Sequence, residues 1–324
     1  GVARLMLLST LVTSLTDVPA AALRIRGRAA AFAIVAVLRS AAMIAVTWYL
    51  LAVSQRGLAA VFEGTLAASS VALLLLLALT VGSYAPAISW RELLAMLRFG
   101  LPFVPVLFFT WVIDFSDRYF LGAHASLDEL GLYAVGYKIG QLLLLAVRAF
   151  MVAWIPLMFS IARRHEAPQV FADVFRYYAM GLGWLGLGVA LFSPEAVGVL
   201  ATAPYQAGAG VIPLIVLAYV LYGVYSFMLS GLLVTKDVWV QPVTLTIAAM
   251  ANAALNWWWI PLAGMWGAAW STVLSYGLVA VVTWRAAQRR YPIPIPAGSW
   301  LRLVLVGGGL YVGAQWLGLS PVWK

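Results

Sequence analysis

The sequence predicts an all-α polytopic membrane protein, and three observations carry that prediction. Of 324 residues, 64% are hydrophobic and only 10% charged, against about 25% charged in an ordinary soluble domain; the mean hydropathy is +0.97. Runs of about 20 apolar residues, enough to span a bilayer as a helix, recur along the whole chain. The links between these runs alternate between arginine-rich and arginine-poor, as positive-inside topology requires.

The runs predict about ten transmembrane helices, at 2–22, 30–53, 58–82, 99–121, 130–161, 171–192, 211–234, 240–260, 264–284 and 300–318. Arg24, Arg26 and Arg28 follow the first, Arg91 and Arg98 the third, Arg163 and Arg164 the fifth. Lys236 follows the seventh, and Arg285, Arg289 and Arg290 the ninth. The alternate links hold Arg56, the boundary residue Arg118 and acids such as Asp128, Glu129 and Glu195. Every arginine-rich link is therefore expected in the cytoplasm. The run 130–161 is long, roughly 47 Å at 1.5 Å per residue, and Pro156 is the expected place for a bend. Residues 83–98 read as a polar link joining two bundles, and 285–299 as a basic, Pro-rich stretch extended on the cytoplasmic face. Trp48, Tyr49, Trp90, Trp154, Trp257, Trp258 and Trp300 fall near segment ends, as interfacial aromatics do.

Charge and composition also exclude function classes. The net charge of +9 sits in short links, where it orients the chain in the membrane, so no nucleic-acid partner is expected. With no Cys and two His, both in polar links (His124 and His165), neither a thiolate nor a histidine metal centre is expected. No Gly-x-Ser-x-Gly, HExxH or Walker A pattern occurs, so no catalytic residue, cofactor or metal site is expected. Gly181-Leu-Gly183-Trp-Leu-Gly186 matches a dinucleotide fingerprint by letter. No strand precedes it, and small residues for close helix packing are the better account, as at Gly309 and Gly313. The chain opens at Gly1 inside an apolar run with no signal-peptide pattern, and is expected to be the back part of a longer protein.

The candidate functional residues are the ionisable groups within hydrophobic runs. Each costs about 2.5–3.5 kcal/mol to insert, so such groups normally face a bundle interior or a wet cavity. Asp114, Asp117 and Arg118 are spaced three and four apart, on one helical face. An Asp117–Arg118 ion pair at the outer interface is the plain alternative; Asp114 lies a turn deeper. Lys138, Gln141 and Arg148 follow on the next run, Arg148 about 15 Å deeper than Lys138 along the axis. Arg39 is a second deep cation, in 30–53. Two deep arginines without an evident carboxylate at their depth suggest a cavity for an anionic group, although packing of Arg148 against helix carbonyls would also account for it. Glu63 and Asp17, near segment ends, read as local partners.

Five stretches in order carry a resemblance: Leu97-Arg-Phe-Gly-Leu-Pro102, Ser116-Asp-Arg-Tyr-Phe-Leu121, Gly131-Leu-Tyr-Ala-Val-Gly-Tyr137, Ala153-Trp-Ile-Pro156, and the block from Asn256-Trp-Trp-Trp-Ile-Pro261 to Ser275-Tyr276. Together they resemble the second half of Wzx-like polysaccharide and O-antigen flippases, of the multidrug/oligosaccharidyl-lipid/polysaccharide superfamily. The resemblance implies a two-bundle transporter architecture with an incomplete first bundle. Residues 1–90 would be the remaining three or so helices of that bundle, and 91–284 a six-helix second bundle. Residues 285–324 would be the cytoplasmic link and an additional C-terminal helix.

The implied function is export of an undecaprenyl-pyrophosphate-linked oligosaccharide across a bacterial cytoplasmic membrane by alternating access, in polysaccharide or lipopolysaccharide biosynthesis. Lacking the front helices, the chain alone is not expected to be competent for transport. Arg39, Arg118, Lys138, Gln141 and Arg148 are the expected substrate contacts; Arg39 and Arg148 would receive the pyrophosphate, and Lys138 and Arg118 would accompany it outward. Asp114 and Asp117 are the candidates for proton or sodium coupling. The expected partners are the lipid-linked glycan, membrane lipids and other polysaccharide-assembly proteins. An ion-coupled drug antiporter of the same superfamily would need an acid-dominated cavity. A membrane-embedded glycan ligase or polymerase would need a large outer loop, and the link 193–210 carries only Glu195.

Overall fold

The structure, a computed structural model, describes residues 2–83, 89–101, 103–237, 239–294, 307–311 and 313. The chain is helical throughout the described residues and forms two compact units, Gly1–Leu93 and Leu94–Lys324.

In the first unit, α1 (Val2–Leu15) and α2 (Asp17–Ile25) make one membrane span interrupted at Thr16, whose hydroxyl donates to the Thr13 carbonyl at 2.6 Å. Gly27, at φ 72°, ends α2 in a left-handed turn that a side chain would oppose. There Arg24 lies over the Phe32 ring, 5.0 Å from its centroid. α3 (Ala29–Ala52) and α4 (Ala59–Thr80) then pair as a helical hairpin. The buried face of α4 repeats every fourth residue: Ala60, Gly64, Ala68, Ala72, Leu76, Thr80. Small residues at that spacing let two backbones close up, which drives association where lipid removes the hydrophobic force. A Cβ on Gly64 would lie 2.2 Å from Thr47 Oγ1 and 3.2 Å from Thr47 Cα.

α5 (Trp90–Gly100) occupies much of the stretch expected to be a polar link. Ser89 Oγ accepts from the Glu92 N–H at 3.4 Å, and Ser-x-x-Glu is the signature of a helix start. α6 (Phe103–His124) follows. The single long helix expected over 130–161 is two, α7 (Leu127–Gly140) and α8 (Leu143–Ile161). The bend expected at Pro156 lies instead at Gln141–Leu142, where the backbone tightens to i→i−3 bonds: Leu142 to Ile139, Leu144 to Gln141 and Leu145 to Leu142. Glycine explains the place. Gly136 and Gly140 press α7 so close to the next layer that a Cβ would meet the Gly208 carbonyl oxygen at 2.4 Å and Ile215 Cγ2 at 2.7 Å. Pro156 sits inside an unbroken α8, as membrane helices tolerate.

α9 (Ala167–Leu191), the short α10 (Ser193–Leu200), a 3₁₀ stretch Ala203–Val211 and α11 (Ile212–Val234) complete the layers around the core. α12 (Val240–Arg290) contains both segments expected at 240–260 and 264–284, broken at Gly264 (φ 53°, ψ −132°). The break frees the Met265 N–H, which donates to Glu129 Oε1 at 2.7 Å. α11 and α6 pack against α12 more extensively than any other elements.

Seven stretches among the described residues are long and apolar enough to cross a membrane, so the chain is a multi-pass membrane protein. The last stretch holds two of the ten expected segments. α6 is long enough but more polar, because every 18-residue stretch of it contains Asp114, Asp117 and Arg118. The expected helix 300–318 falls largely outside the described residues, of which 307–311 and 313 are helical.

Three further expectations change. Arg285, Arg289 and Arg290 belong to α12 rather than to an extended link. Beyond them, Gln288 grips the Ile293 backbone from both sides, at 2.7 and 2.8 Å, and Ile293 is buried. Trp154 is no interfacial residue: it is buried, stacks on Phe227 and donates from Nε1 to Ser230 Oγ at 3.0 Å. Trp48, Tyr49, Trp90, Trp257 and Trp258 are exposed, and Trp300 lies outside the described residues. A Cβ on Gly186 would lie 3.0 Å from Val216, as close packing predicts, whereas one on Gly181, Gly309 or Gly313 would meet no described neighbour within 4 Å.

Candidate functional site

The polar heart of the second unit is built on α6. Spacing of three and four residues puts Asp114, Asp117 and Arg118 on one face, and α7, α11 and α12 bring tyrosines to it. On α7, Tyr133 and Tyr137 stand one turn apart, both buried. The Tyr133 hydroxyl donates to Asp117 Oδ2 at 2.5 Å. Asp117 is fully buried, and its Oδ1 accepts from the Arg118 backbone N–H at 2.7 Å and from Arg118 Nη1 at 3.3 Å. Asp114 Oδ1 accepts from Tyr276 at 2.6 Å and from Tyr137 at 3.3 Å. Tyr219, on α11, donates to the Tyr137 hydroxyl at 3.1 Å.

Arg118 is engaged on three sides. It holds Asp117, donates to the Asp114 carbonyl oxygen, and lies 4.3 Å over the Tyr137 ring and 5.0 Å over Phe115. An interhelical hydrogen bond inside a membrane protein contributes about 0.6 kcal/mol on average and up to about 1.7. At that average the two tyrosine bonds to Asp114 and the one from Tyr133 to Asp117 offset only part of an insertion cost of about 2.5–3.5 kcal/mol per acid, and the Arg118 guanidinium adds to the share of Asp117.

Next to this cluster, Ser116 faces α12. Its hydroxyl donates to Asn252 Oδ1 at 2.8 Å and accepts from Asn256 Nδ2 at 3.1 Å; Asn256 also donates to Asn252 Oδ1 at 3.1 Å. Asn252 and Asn256 are wholly buried one turn apart. Asn252 Nδ2 and Asn256 Oδ1 have no partner among the described residues.

The remaining sequence-predicted residues divide. Gln141 faces the Tyr219 hydroxyl. Arg148 is exposed on α8, within electrostatic reach of Asp114 and Tyr222. Neither Arg148 nor Lys138, which is exposed on α7 and outside the cluster, forms a hydrogen bond or ion pair with a described residue. Arg39 belongs to the first unit, half-buried one turn beyond Val35 and also without such a partner among the described residues. Glu63 pairs with Arg56 at 3.0 Å, the local role expected of it. No cluster of His, Cys, Asp or Glu suited to a metal occurs among the described residues.

What this arrangement does chemically is hold two carboxylates in a membrane helix bundle, Asp114 between two tyrosine hydroxyls and Asp117 between one tyrosine hydroxyl and Arg118, with that guanidinium locked and the Arg148 guanidinium open within electrostatic reach. The comparisons fit such a bundle. A family described as polysaccharide biosynthesis protein matches residues 1–207. The chain belongs to that family. Among solved structures, this polysaccharide biosynthesis family member is similar to the lipid II flippase MurJ in an inward closed conformation, with a TM-score of 0.75 and 13% sequence identity. The match covers 99% of this chain and 68% of that one, and at such identity it establishes the fold. Comparison with curated proteins yields no match.

The tyrosines, Asn252 and Asn256 were not among the predicted site residues. Their signal was present in part: Tyr133 and Tyr137 stand one turn apart in a membrane run, as do Asn252 and Asn256.

Proposed function

We propose that this protein exports a lipid-linked oligosaccharide of the undecaprenyl-pyrophosphate type across the bacterial cytoplasmic membrane by alternating access. Its arginine-rich links would face the cytoplasm, where such precursors are assembled. Family membership and a fold like that of a lipid II flippase support the class of reaction. The observation that carries the reading is Arg148: a cation on a membrane helix, exposed, in no ion pair with a described residue, and within electrostatic reach of the caged Asp114.

A pyrophosphate crossing hydrocarbon requires compensation of its charge, and a guanidinium holds phosphate oxygens in a bidentate way that an ammonium does not reproduce. Arg148 supplies that contact, Gln141 and Lys138 flank it on the same chain segment, and Arg39 serves the first unit. Arg118, locked by Asp117 and Tyr137, holds the cage rather than the substrate. Asp114, with two tyrosine donors and a half-buried surface, is the coupling group, with Asp117 its buried neighbour.

The test is surface glycan display, normalised to protein level, in cells carrying substitutions in the chromosomal gene. Arg148→Lys is expected to lose most of the display and Arg148→Ala nearly all of it. Asp114→Asn is expected to remove the dependence of display on external pH. Arg148→Ala with unchanged normalised display would overturn the substrate role of that residue, and an unaltered pH response in Asp114→Asn would remove Asp114 from coupling.

A further inference from the structure

The helix α5 carries a surface that the transport reading leaves unused. At about 100° per residue, Leu93, Leu97, Trp90 and Leu94 fall within an arc of about 100°, a width typical of an apolar helix face, and Leu101 follows in the turn after the helix. Arg91 and Arg98, seven residues apart, lie within about 20° of each other, directly beside that arc. Glu92 and Ala95 lie on the opposite side, and Met96, also exposed, stands about 60° outside the arc. The apolar residues belong to neither hydrophobic core: Trp90, Leu94, Leu97 and Leu101 are each more than half exposed.

We propose that α5 lies flat in the membrane–water interface and binds anionic phospholipid, with its leucines and Trp90 in the acyl boundary and Arg91 and Arg98 on phosphate headgroups. Three features argue for this occupant. Four large apolar groups on one face of an 11-residue helix, with Leu101 just beyond its end, would be a liability in water. α5 is tethered between α4, a membrane span, and α6, so the apolar medium within its reach is lipid. The two arginines border the apolar face at the level where a helix in the interface meets headgroups, and their long stems let the guanidinium rise while the leucines stay down. The Ser89 and Glu92 start signal makes the helix independent of neighbours for its first turn.

The absence of cysteine makes the test direct. Single spin labels are placed by Glu92→Cys, Leu94→Cys, Ala95→Cys and Leu97→Cys in the whole chain. The chain is reconstituted in phosphatidylcholine vesicles with and without phosphatidylglycerol. Labels at 94 and 97 are expected to collide with oxygen and be shielded from a water-soluble nickel chelate, and labels at 92 and 95 to show the reverse. Depth at 94 and 97 is expected to increase with phosphatidylglycerol, and the double change Arg91→Gln with Arg98→Gln to abolish that increase. Labels at 94 and 97 shielded from both reagents would mean a protein surface covers the face, and labels open to nickel would mean it faces water; either overturns the proposal. Equal depth in both vesicle types would overturn the anionic-lipid contact.

Discussion

In the first unit, side-chain hydroxyls mostly turn back on their own helices: Thr10 to Met6, Thr65 to Val61, Ser70 to Leu66 and Thr80 to Leu76. Thr13 and Ser69, 2.9 Å apart, join two of its helices. The second unit has such bonds too, at Thr110, Ser226, Thr244 and Ser271 for example, but its acids, tyrosines and asparagines also bond across helices: α7 and α12 reach α6, and Tyr219 of α11 reaches Tyr137 of α7. The cores differ to match. Alanine, leucine and a glycine line α4, whereas Tyr133, Tyr137, Tyr219, Tyr276, Phe171 and Phe227 are among the largest buried side chains of the second unit. Both are helices in lipid, where backbone polar groups are satisfied internally. The contrast shows two ways to hold them together: close backbone approach in one, a shared hydrogen-bond network in the other.

The sharpest way to break this contrast is Asp117→Ala. It leaves the Tyr133 hydroxyl and the Arg118 guanidinium without their acceptor, and removing one partner of such a buried pair costs about 3 kcal/mol or more. Thermal unfolding in detergent is expected to show a large loss, with Asp117→Asn losing distinctly less because its amide oxygen still accepts from Tyr133. Equal stability of Asp117→Ala and the parent would mean the network is not what holds the second unit.

In the first unit the corresponding change is Gly64→Ala. The added methyl meets Thr47, and overpacking of this kind costs about 1–3 kcal/mol. Thr47→Ala is expected to recover only part of the loss, since the Thr47 backbone N would remain 3.1 Å from the new Cβ. Full recovery would place the constraint in the side chain and not in the approach of the two backbones. The smallest effect is expected from Thr13→Val, about 0.6 kcal/mol, because Ser69 is free to turn to a carbonyl of its own helix. A loss of several kcal/mol there would show that the first unit also depends on a polar link between helices.

Much of this was legible in the sequence, for identifiable reasons. Apolar runs and the charges inside them are conspicuous because insertion is so costly, and the common face of Asp114, Asp117 and Arg118 follows from spacing alone. The tyrosine cage was not legible, because tyrosine in a membrane segment reads equally as interfacial belt and as hydrogen-bond donor; only tertiary packing decides. For Trp154 the same ambiguity led to the wrong side. The tightening at Gln141–Leu142 escaped because Pro156 is the louder local signal, while the cause lies in Gly208 and Ile215, far along the chain. α5 was read by its charges as a link; its leucine arc emerges only when the helix start at Ser89 fixes the register.

One contact reaches further than its two residues. Ser126-x-x-Glu129 opens α7 as a capping pair, and Ser126 Oγ accepts from the Glu129 N–H at 3.1 Å. The Glu129 carboxylate, however, turns away to the Met265 N–H, 136 positions later, where α12 is broken. A Cβ on Gly264 would fall 1.9 Å from that carboxylate, on a backbone already at positive φ. Inheritance is thereby constrained in pairs. A descendant that replaces Gly264 must also retract or replace Glu129, and one that loses Glu129 leaves an amide unanswered in the middle of α12. The two positions are expected to change together or not at all.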